Sequence, residues 1–213
     1  MDNLGHKRKS YEMHTLDRED LSADPIVQFD QWYHDAEKVG IVEPNAMALA
    51  TADSVGQPSV RIVLLKGFGQ DGFAFYTNYK SYKGQQLAIN PKAALVFWWD
   101  KLERQIRIEG TVEKLSREES EKYFHSRPRG SQLSAFASPQ SSVISKSELA
   151  EKRKTTEDRF SDSEKVDLPD NWGGYILKPN RIEFWQGRAN RYHDRFCYSI
   201  LDSGKWEINR LAP

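Results

Sequence analysis

The sequence predicts a mainly β fold with inserted helices, an α+β chain whose strands close into a barrel. Three observations carry this. From Ala46 onward, apolar residues recur with period two or in short continuous runs separated by turn residues, and at least seven such segments follow one another. The helical segments are inserted among them rather than alternating with them, which favours a barrel over a doubly wound sheet. The 213 residues are 38% hydrophobic and 12% aromatic, with six Trp, enough for one sizeable core. Residues 1–20 read as a polar, mobile segment and 21–213 as a single domain.

The first helix is announced by Asp24-Pro25, an N-cap and a first-turn proline. Ile26, Phe29, Trp32, Tyr33 and Ala36 then recur at helical spacing before Gly40 stops it. The segments AMALATA, SVRIVLLKGF, FAFYTN, AALVFWW and RQIRIEGTVEKL read as strands, with SVGQP, GQDG and DKLE between them. A short helix, SYKGQQLAIN, interrupts the series before Pro91. Ser116 with Glu119, and Ser145 with Glu148, have capping-box spacing and open helices over REESEKYF and KSELAEKRKTTEDRF. Ser161 to Asn171, acidic and poor in apolar residues, reads as a surface loop. WGGYILKP and NRIEFWQ then read as two strands, and RFCYSIL with KWEINRL as a hairpin across Asp202-Ser203-Gly204.

Charge and composition exclude several classes. With 31 basic and 31 acidic residues there is no global field to draw the chain to nucleic acid or an anionic membrane. No apolar stretch is long enough to span a bilayer, and the charged N-terminus has no apolar run behind it, so a soluble, unprocessed, cytoplasmic protein is expected. The single cysteine, Cys197, excludes an intramolecular disulfide and fits a reducing compartment; in FCYSI it reads as a buried structural thiol rather than a nucleophile. There is no CxxC, HExxH, GxSxG, Walker or Rossmann pattern, and the five His lack metal-ligand spacing, so no metal is expected.

Four segments carry polar groups that a barrel wall does not require. In GRANRYHDRF, Arg188, Arg191, His193 and Arg195 surround one acid, Asp194. If that stretch is extended, Arg191, His193 and Arg195 share a face and suit an anion, arginine being a planar bidentate donor. The bland alternative is a solvated loop with charges pointing apart. In RIVLLK, Arg61 and Lys66 bracket Ile62, Val63, Leu64 and Leu65; ordinary strand-end charge is the competing reading. In FYTNYKSYKG, Tyr76 and Thr77 finish a strand, while Ser81 and Lys83 open a helix whose free amides favour an anion. In YFHSRPRGSQ, Tyr123, Arg127 and Ser131 recur every four residues, but Pro128 interrupts the helix, so they converge at a helix end, where they offer donors to one phosphate.

Taken in order, RIVLLKGF, FYTNYKSYKG, ERQIRIEG, YFHSRPRGSQ, QSSVI, IEFWQG, RYHDRF and INRLAP resemble the pyridoxamine 5′-phosphate oxidase family, from about Arg8 to Pro213. The resemblance implies an FMN-binding split β-barrel, acting as a homodimer with flavin sites between subunits. It implies oxidation of pyridoxamine 5′-phosphate or pyridoxine 5′-phosphate, with dioxygen as acceptor and hydrogen peroxide as product. Carried over by position, Arg61, Lys83 and Ser141 match contacts to the FMN phosphate and ribityl chain, with Ile62, Val63, Leu64, Lys66, Tyr76, Thr77, Ser81, Tyr82 and Gln140 beside them. Gln105, Trp185 and Arg195 match residues around the isoalloxazine ring. Lys66, Tyr123, Arg127 and Ser131 match the substrate phosphate clamp; Arg191 and His193 match the catalytic pair over the pyridine ring, and Arg8 and Tyr11 a segment that covers it.

One position departs from the family, which usually reads Ser-Arg-Lys where this chain reads Ser81-Tyr82-Lys83. A guanidinium expected near the FMN phosphate is replaced by a phenol. Two alternatives differ in class: another split-barrel flavin enzyme such as a flavin reductase, and a non-catalytic module that stores flavin or pyridoxal phosphate. The segments YFHSRPRGSQ and RYHDR discriminate against the first, because they are superfluous without a small phosphorylated partner; turnover discriminates against the second.

Overall fold

The computed structural model describes residues 4–7 and 9–213. Nine strands form one sheet: β1 (Ala46–Ala52), β2 (Pro58–Leu64), β3 (Gly67–Gly69), β4 (Gly72–Asn78), β5 (Lys92–Trp99), β6 (Arg104–Lys114), β7 (Trp172–Gln186), β8 (Asp194–Ile200) and β9 (Trp206–Arg210). Their order is β2-β1-β5-β6-β7-β4-β3, with β8 on β7 and β9 on β8. Among the described residues five α-helices are inserted: α1 (Pro25–Lys38), α2 (Tyr82–Ile89), α3 (Arg117–Ser126), α4 (Arg129–Ala137) and α5 (Lys146–Arg159). The chain divides into two compact units, Met1–Leu49 with Ala94–Gly110 and Pro179–Pro213, and Ala50–Ala93 with Thr111–Lys178. Among the described residues no helix is long and apolar enough to cross a membrane.

In the first unit α1 begins where the sequence places it, with the Asp24 carboxylate accepting from the Ile26 amide at 2.8 Å and Pro25 in the first turn. Its apolar stripe buries Phe29 against Phe97 at 5.2 Å and Trp32 against Phe184 at 5.1 Å between ring centroids. Antiparallel β8 pairs Arg195 with Trp185 and Cys197 with Glu183 on β7, then turns through Gly204, at φ 77°, into β9. Ahead of α1, Leu16 and Leu21 are buried, and the Tyr198 hydroxyl donates to the Ser22 carbonyl at 2.7 Å.

In the second unit β4 pairs with the first half of β7, from Phe73 opposite Leu177 to Asn78 opposite Trp172. Both expected capping boxes form at the starts of α3 and α5. Three readings need correction. The segment after Pro128 is a further helix, α4, because proline is tolerated at a helix start and the Ser131 amide bonds back to the Pro128 carbonyl. WGGYILKP and NRIEFWQ are one strand, since Pro179 falls between the β4 ladder, which ends at Leu177, and the β8 ladder, which begins at Arg181. The loop before β7 is not wholly a surface feature: Val166 and Leu168 are buried with Phe124, Phe160 and Trp172.

Candidate functional site

Two cations of the second unit converge on hydroxyl and amide groups. Arg61, on β2, donates through Nη1 to Thr51 Oγ1 at 2.5 Å and through Nη2 to Gln86 Oε1 at 3.4 Å. Lys83, on the first turn of α2 and only 8% exposed, donates through Nζ to Thr77 Oγ1 at 3.2 Å, and Thr77 donates to Gln140 Oε1 at 3.2 Å. Burial, then the neighbouring Arg61 charge, pushes the Lys83 ammonium below its ordinary value; burial does the same to Arg61. Lys83 has no ion pair among the described residues, so a buried cation is held beside another cation with only neutral acceptors. That arrangement suits an anion.

The surrounding residues take definite places. Ser81 is fully buried and caps α2, accepting from the Gly84 amide at 3.3 Å. Ser141 follows Gln140 with a left-handed backbone, φ 74°. Tyr82 is half-exposed and close enough to act electrostatically on Arg61. Ile62 points to solvent, Val63 and Leu64 are half-buried, and Lys66 sits exposed in the turn before β3.

A second polar cluster of the same unit lies on aromatic rings. Tyr76 stacks on Tyr123 at 3.9 Å between centroids, and Tyr123 lies nearly parallel to Trp172 at 6.2 Å and 7°. The Arg127 guanidinium covers the Trp172 ring at 4.6 Å, yet its Nη1 is buried with no hydrogen-bond partner. Burial holds Arg127 below its ordinary value. An unsatisfied guanidinium nitrogen calls for an acceptor. Arg127 and Pro128 separate α3 from α4, and Ser131 stands in the first turn of α4, so Arg127 and Ser131 both occur at the break that Pro128 imposes. A cleft of about 460 Å³ is lined by Lys66, Gly69, Tyr76, Lys122, Tyr123 and Ser126; Arg127 and Ser131 are not part of its wall.

The first unit carries the remaining residues. Trp185 packs on His193 at 4.6 Å and Tyr11 on Trp185 at 5.8 Å between centroids. Tyr11, Arg188, Arg191 and His193, with Lys9, line a cavity of about 770 Å³. The backbone amide of Arg188 donates to His193 Nδ1 at 3.1 Å, which leaves the proton of a neutral imidazole on Nε2. Burial, then the charges of Arg191 and Arg195, lowers the His193 value and so favours the neutral ring. Arg8 lies outside the described residues.

The basic segment differs from its extended reading. Ala189–Arg191 form a 3-10 turn with φ 54° at Asn190 and 66° at Arg191, and the strand begins only at Asp194. Its charge is also partly neutralised from within. Asp194 accepts from Arg188 Nη1 at 2.9 Å and Arg210 Nη1 at 2.8 Å, while Glu183 accepts from Arg195 Nε at 2.8 Å. Arg191 and His193 stand on the cavity wall with no ion pair among the described residues. Sequence reasoning missed Glu103 and Glu183. Both are buried at 2% exposure and hold their neighbours in place, Glu103 accepting from the amides of Glu12 and Met13 at 2.9 and 3.2 Å and from Lys9 at 3.0 Å. Glu103 lies in the turn before β6 and Glu183 within β7, and a lone Glu in either place carries no local signal of that kind.

A family model described as pyridoxamine 5′-phosphate oxidase matches residues 34–158, and one described as the pyridoxine 5′-phosphate oxidase C-terminal dimerisation region matches residues 172–213. Relatives named pyridoxine/pyridoxamine 5′-phosphate oxidase include those of Salinibacter ruber, 52% identical over 100% of both chains, and Bordetella pertussis, 51% identical over 97% of both. Among solved structures, PhzG from Burkholderia lata in complex with tetrahydrophenazine-1-carboxylic acid superposes with a TM-score of 0.88 at 27% identity, over 96% of this chain and 100% of that one. An FMN-binding protein related to pyridoxamine 5′-phosphate oxidase, from Nostoc punctiforme, shares the fold, with a TM-score of 0.71 at 18% identity over 91% and 100% of the two chains. A split-barrel fold and full-length identity at this level make the chain a member of the pyridoxamine 5′-phosphate oxidase family of oxidoreductases.

Proposed function

We propose that the protein is an FMN-dependent oxidase that converts pyridoxamine 5′-phosphate or pyridoxine 5′-phosphate to pyridoxal 5′-phosphate, with dioxygen as acceptor and hydrogen peroxide as product. The observation that carries this reading is the presence in one unit of two separate anion-seeking clusters: buried Lys83 beside Arg61, and Arg127 with an unpaired Nη1 on an aromatic stack. A phosphorylated cofactor and a phosphorylated substrate would use both. The names of the full-length relatives support the choice of substrate, and the matched dimerisation region supports a homodimer.

The residues fit FMN. Arg61, Lys83 and Thr77, with Gln140 and Ser141, would hold its phosphate and chain; Gln105, Trp185 and Arg195 would hold the ring. When bound, FMN supplies the redox chemistry by accepting hydride and passing electrons to dioxygen. The chain's own groups bind and orient. Arg127, Tyr123, Ser131 and Lys66 fix the substrate phosphate, and holding the reacting carbon in place is worth several kcal/mol, on the order of known proximity effects. His193 Nδ1 is occupied by the Arg188 amide, so the ring donates from Nε2 rather than taking a proton at Nδ1. It therefore orients the substrate amine or hydroxyl together with the Arg191 charge. Tyr11, packed on Trp185 and His193, shields that wall from water.

The likeness to PhzG favours a second reading, a flavin enzyme acting on an unphosphorylated cyclic carboxylic acid. Peroxide formation measured with pyridoxamine 5′-phosphate, pyridoxine 5′-phosphate and unphosphorylated pyridoxamine separates the two. Turnover confined to the phosphorylated compounds is expected; turnover of none of them would refute the proposal.

A further inference from the structure

Three strands of the first unit carry a polar face built in rows. On β7, Arg181, Glu183 and Trp185 alternate and so point the same way, and their ladder partners on β8 are Ser199, Cys197 and Arg195. On β6, Gln105, Arg107 and Glu109 alternate likewise; Arg107 reaches Glu183 at 3.4 Å and Arg181 reaches Glu109 at 3.7 Å, which puts these side chains on the same face. The row at one end is Gln105, Trp185 and Arg195. Behind it stands Arg107, Glu183 and Cys197.

Glu183 is the buried charge of that second row. Its Oε1 accepts from Arg195 Nε at 2.8 Å and its Oε2 from Arg107 Nη1 at 3.4 Å. A carboxylate so deep loses its hydration and persists only where charged donors replace water. From the other side, Arg195 Nη1 donates to the Ala212 carbonyl at 2.8 Å, while the Leu211 amide donates to the Arg195 carbonyl at 2.9 Å. Two of the three guanidinium nitrogens are thereby fixed, and Nη2 has no partner among the described residues. Arginine otherwise samples many rotamers, and restricting them beforehand removes an entropic cost of binding.

We propose that Glu183 is a positioning residue for the cofactor site: with the Ala212 carbonyl it locks the Arg195 guanidinium so that its remaining N–H edge is presented to the bound flavin. This rests on the reading that Arg195 contacts FMN. Glu183 itself touches no ligand; it acts through Arg195, and Arg107 completes its charge balance.

The test is a double-mutant cycle on FMN affinity, read by flavin fluorescence quenching when deflavinated full-length protein is titrated with FMN, with the visible flavin band recorded for each loaded variant. Glu183→Gln is expected to weaken FMN binding about tenfold and to shift the flavin band. Arg195→Ala should weaken it at least as much, and the double variant should bind no worse than Arg195→Ala alone, because the first change has no effect once its target is gone. If Glu183→Gln does not fold, Glu183→Asp, which keeps the charge and shortens the reach, carries the same cycle with a several-fold loss expected. Additive losses, or unchanged FMN affinity in the folded Glu183 variant, overturn the inference. Wild-type FMN affinity in Arg195→Ala would instead show that Arg195 is not in the site, and the inference would fall with that placement.

Discussion

Trp185 stands directly opposite Arg195 in the β7–β8 ladder, and the carboxylate that pins Arg195 comes from Glu183, two residues before Trp185 on the same face. An apolar ring, a cation and the acid that orients it are thus delivered by one antiparallel register. A one-residue slip would turn all three to the other face of the sheet. The residues proposed to hold the flavin ring are in this sense set by strand pairing, whereas Ser81 and Lys83 stand at the start of α2 and Thr77 near the end of β4.

At Tyr82 the resemblance leads one to expect an arginine, and the half-exposed Tyr82 ring lies near Arg61. Tyr82→Arg is expected to tighten FMN binding about tenfold at low salt, the worth of one well-placed charge-assisted hydrogen bond, and less as salt rises. Turnover at saturating FMN should not change. FMN titration of both apo-proteins at two salt concentrations checks this; equal affinity at low salt would mean that the cradle is already complete.

Arg127→Ala removes the guanidinium over Trp172, which under the proposed function holds the substrate phosphate in ground and transition states alike. It should raise KM for pyridoxamine 5′-phosphate by about tenfold or more and spare kcat. Arg191→Ala should lower kcat as well, since that side chain lies with His193 on the cavity wall. Steady-state kinetics of the two variants decide; identical profiles would contradict the division of labour.

At Gly187 a Cβ would stand 2.8 Å from the Tyr11 Cβ and 3.1 Å from that of Glu103. Gly187→Ala should therefore push Tyr11 off Trp185 and expose residues 9–16 to protease while leaving the melting temperature within a few degrees. Limited proteolysis followed by mass spectrometry tests this, and unchanged protection would refute it.

Burial pushes the Asp194 carboxyl up, but Arg210, the Leu16 amide and Arg188 outweigh it and hold the group below the ordinary carboxylate range. A depressed folded value means that this stabilisation is complete above about pH 4, the unfolded value, and is lost as pH falls through the lower folded one. Asp194→Asn should cost about 2 kcal/mol at pH 7 and progressively less below pH 4. Urea unfolding of both proteins at pH 7 and pH 3 provides the comparison; an equal deficit at both would disprove the assignment.

Local signals made much of the fold legible. The Asp24-Pro25 start of α1 and both capping boxes are local hydrogen-bond patterns and appear where the sequence places them. What was hidden depends on partners distant in sequence. The continuity of β7 through Pro179 follows from where β4 and β8 end and begin, and the burial of Val166 and Leu168 follows from a pocket made by α3 and Trp172. At the site, the cations could be listed from sequence, but not which of them are already neutralised. Asp194 and Glu183 absorb Arg188 and Arg195, and only three-dimensional pairing reveals that Arg191 has no ion pair among the described residues.

FMN-dependent oxidation of the phosphorylated substrate is tested most directly by the visible spectrum of the purified, FMN-loaded protein before and after anaerobic addition of pyridoxamine 5′-phosphate. Loss of the oxidised flavin band, with its return on admitting air, is the expected result, the flavin carrying the redox step. A protein that takes up no FMN, or a flavin that stays oxidised in the presence of that substrate, would contradict it.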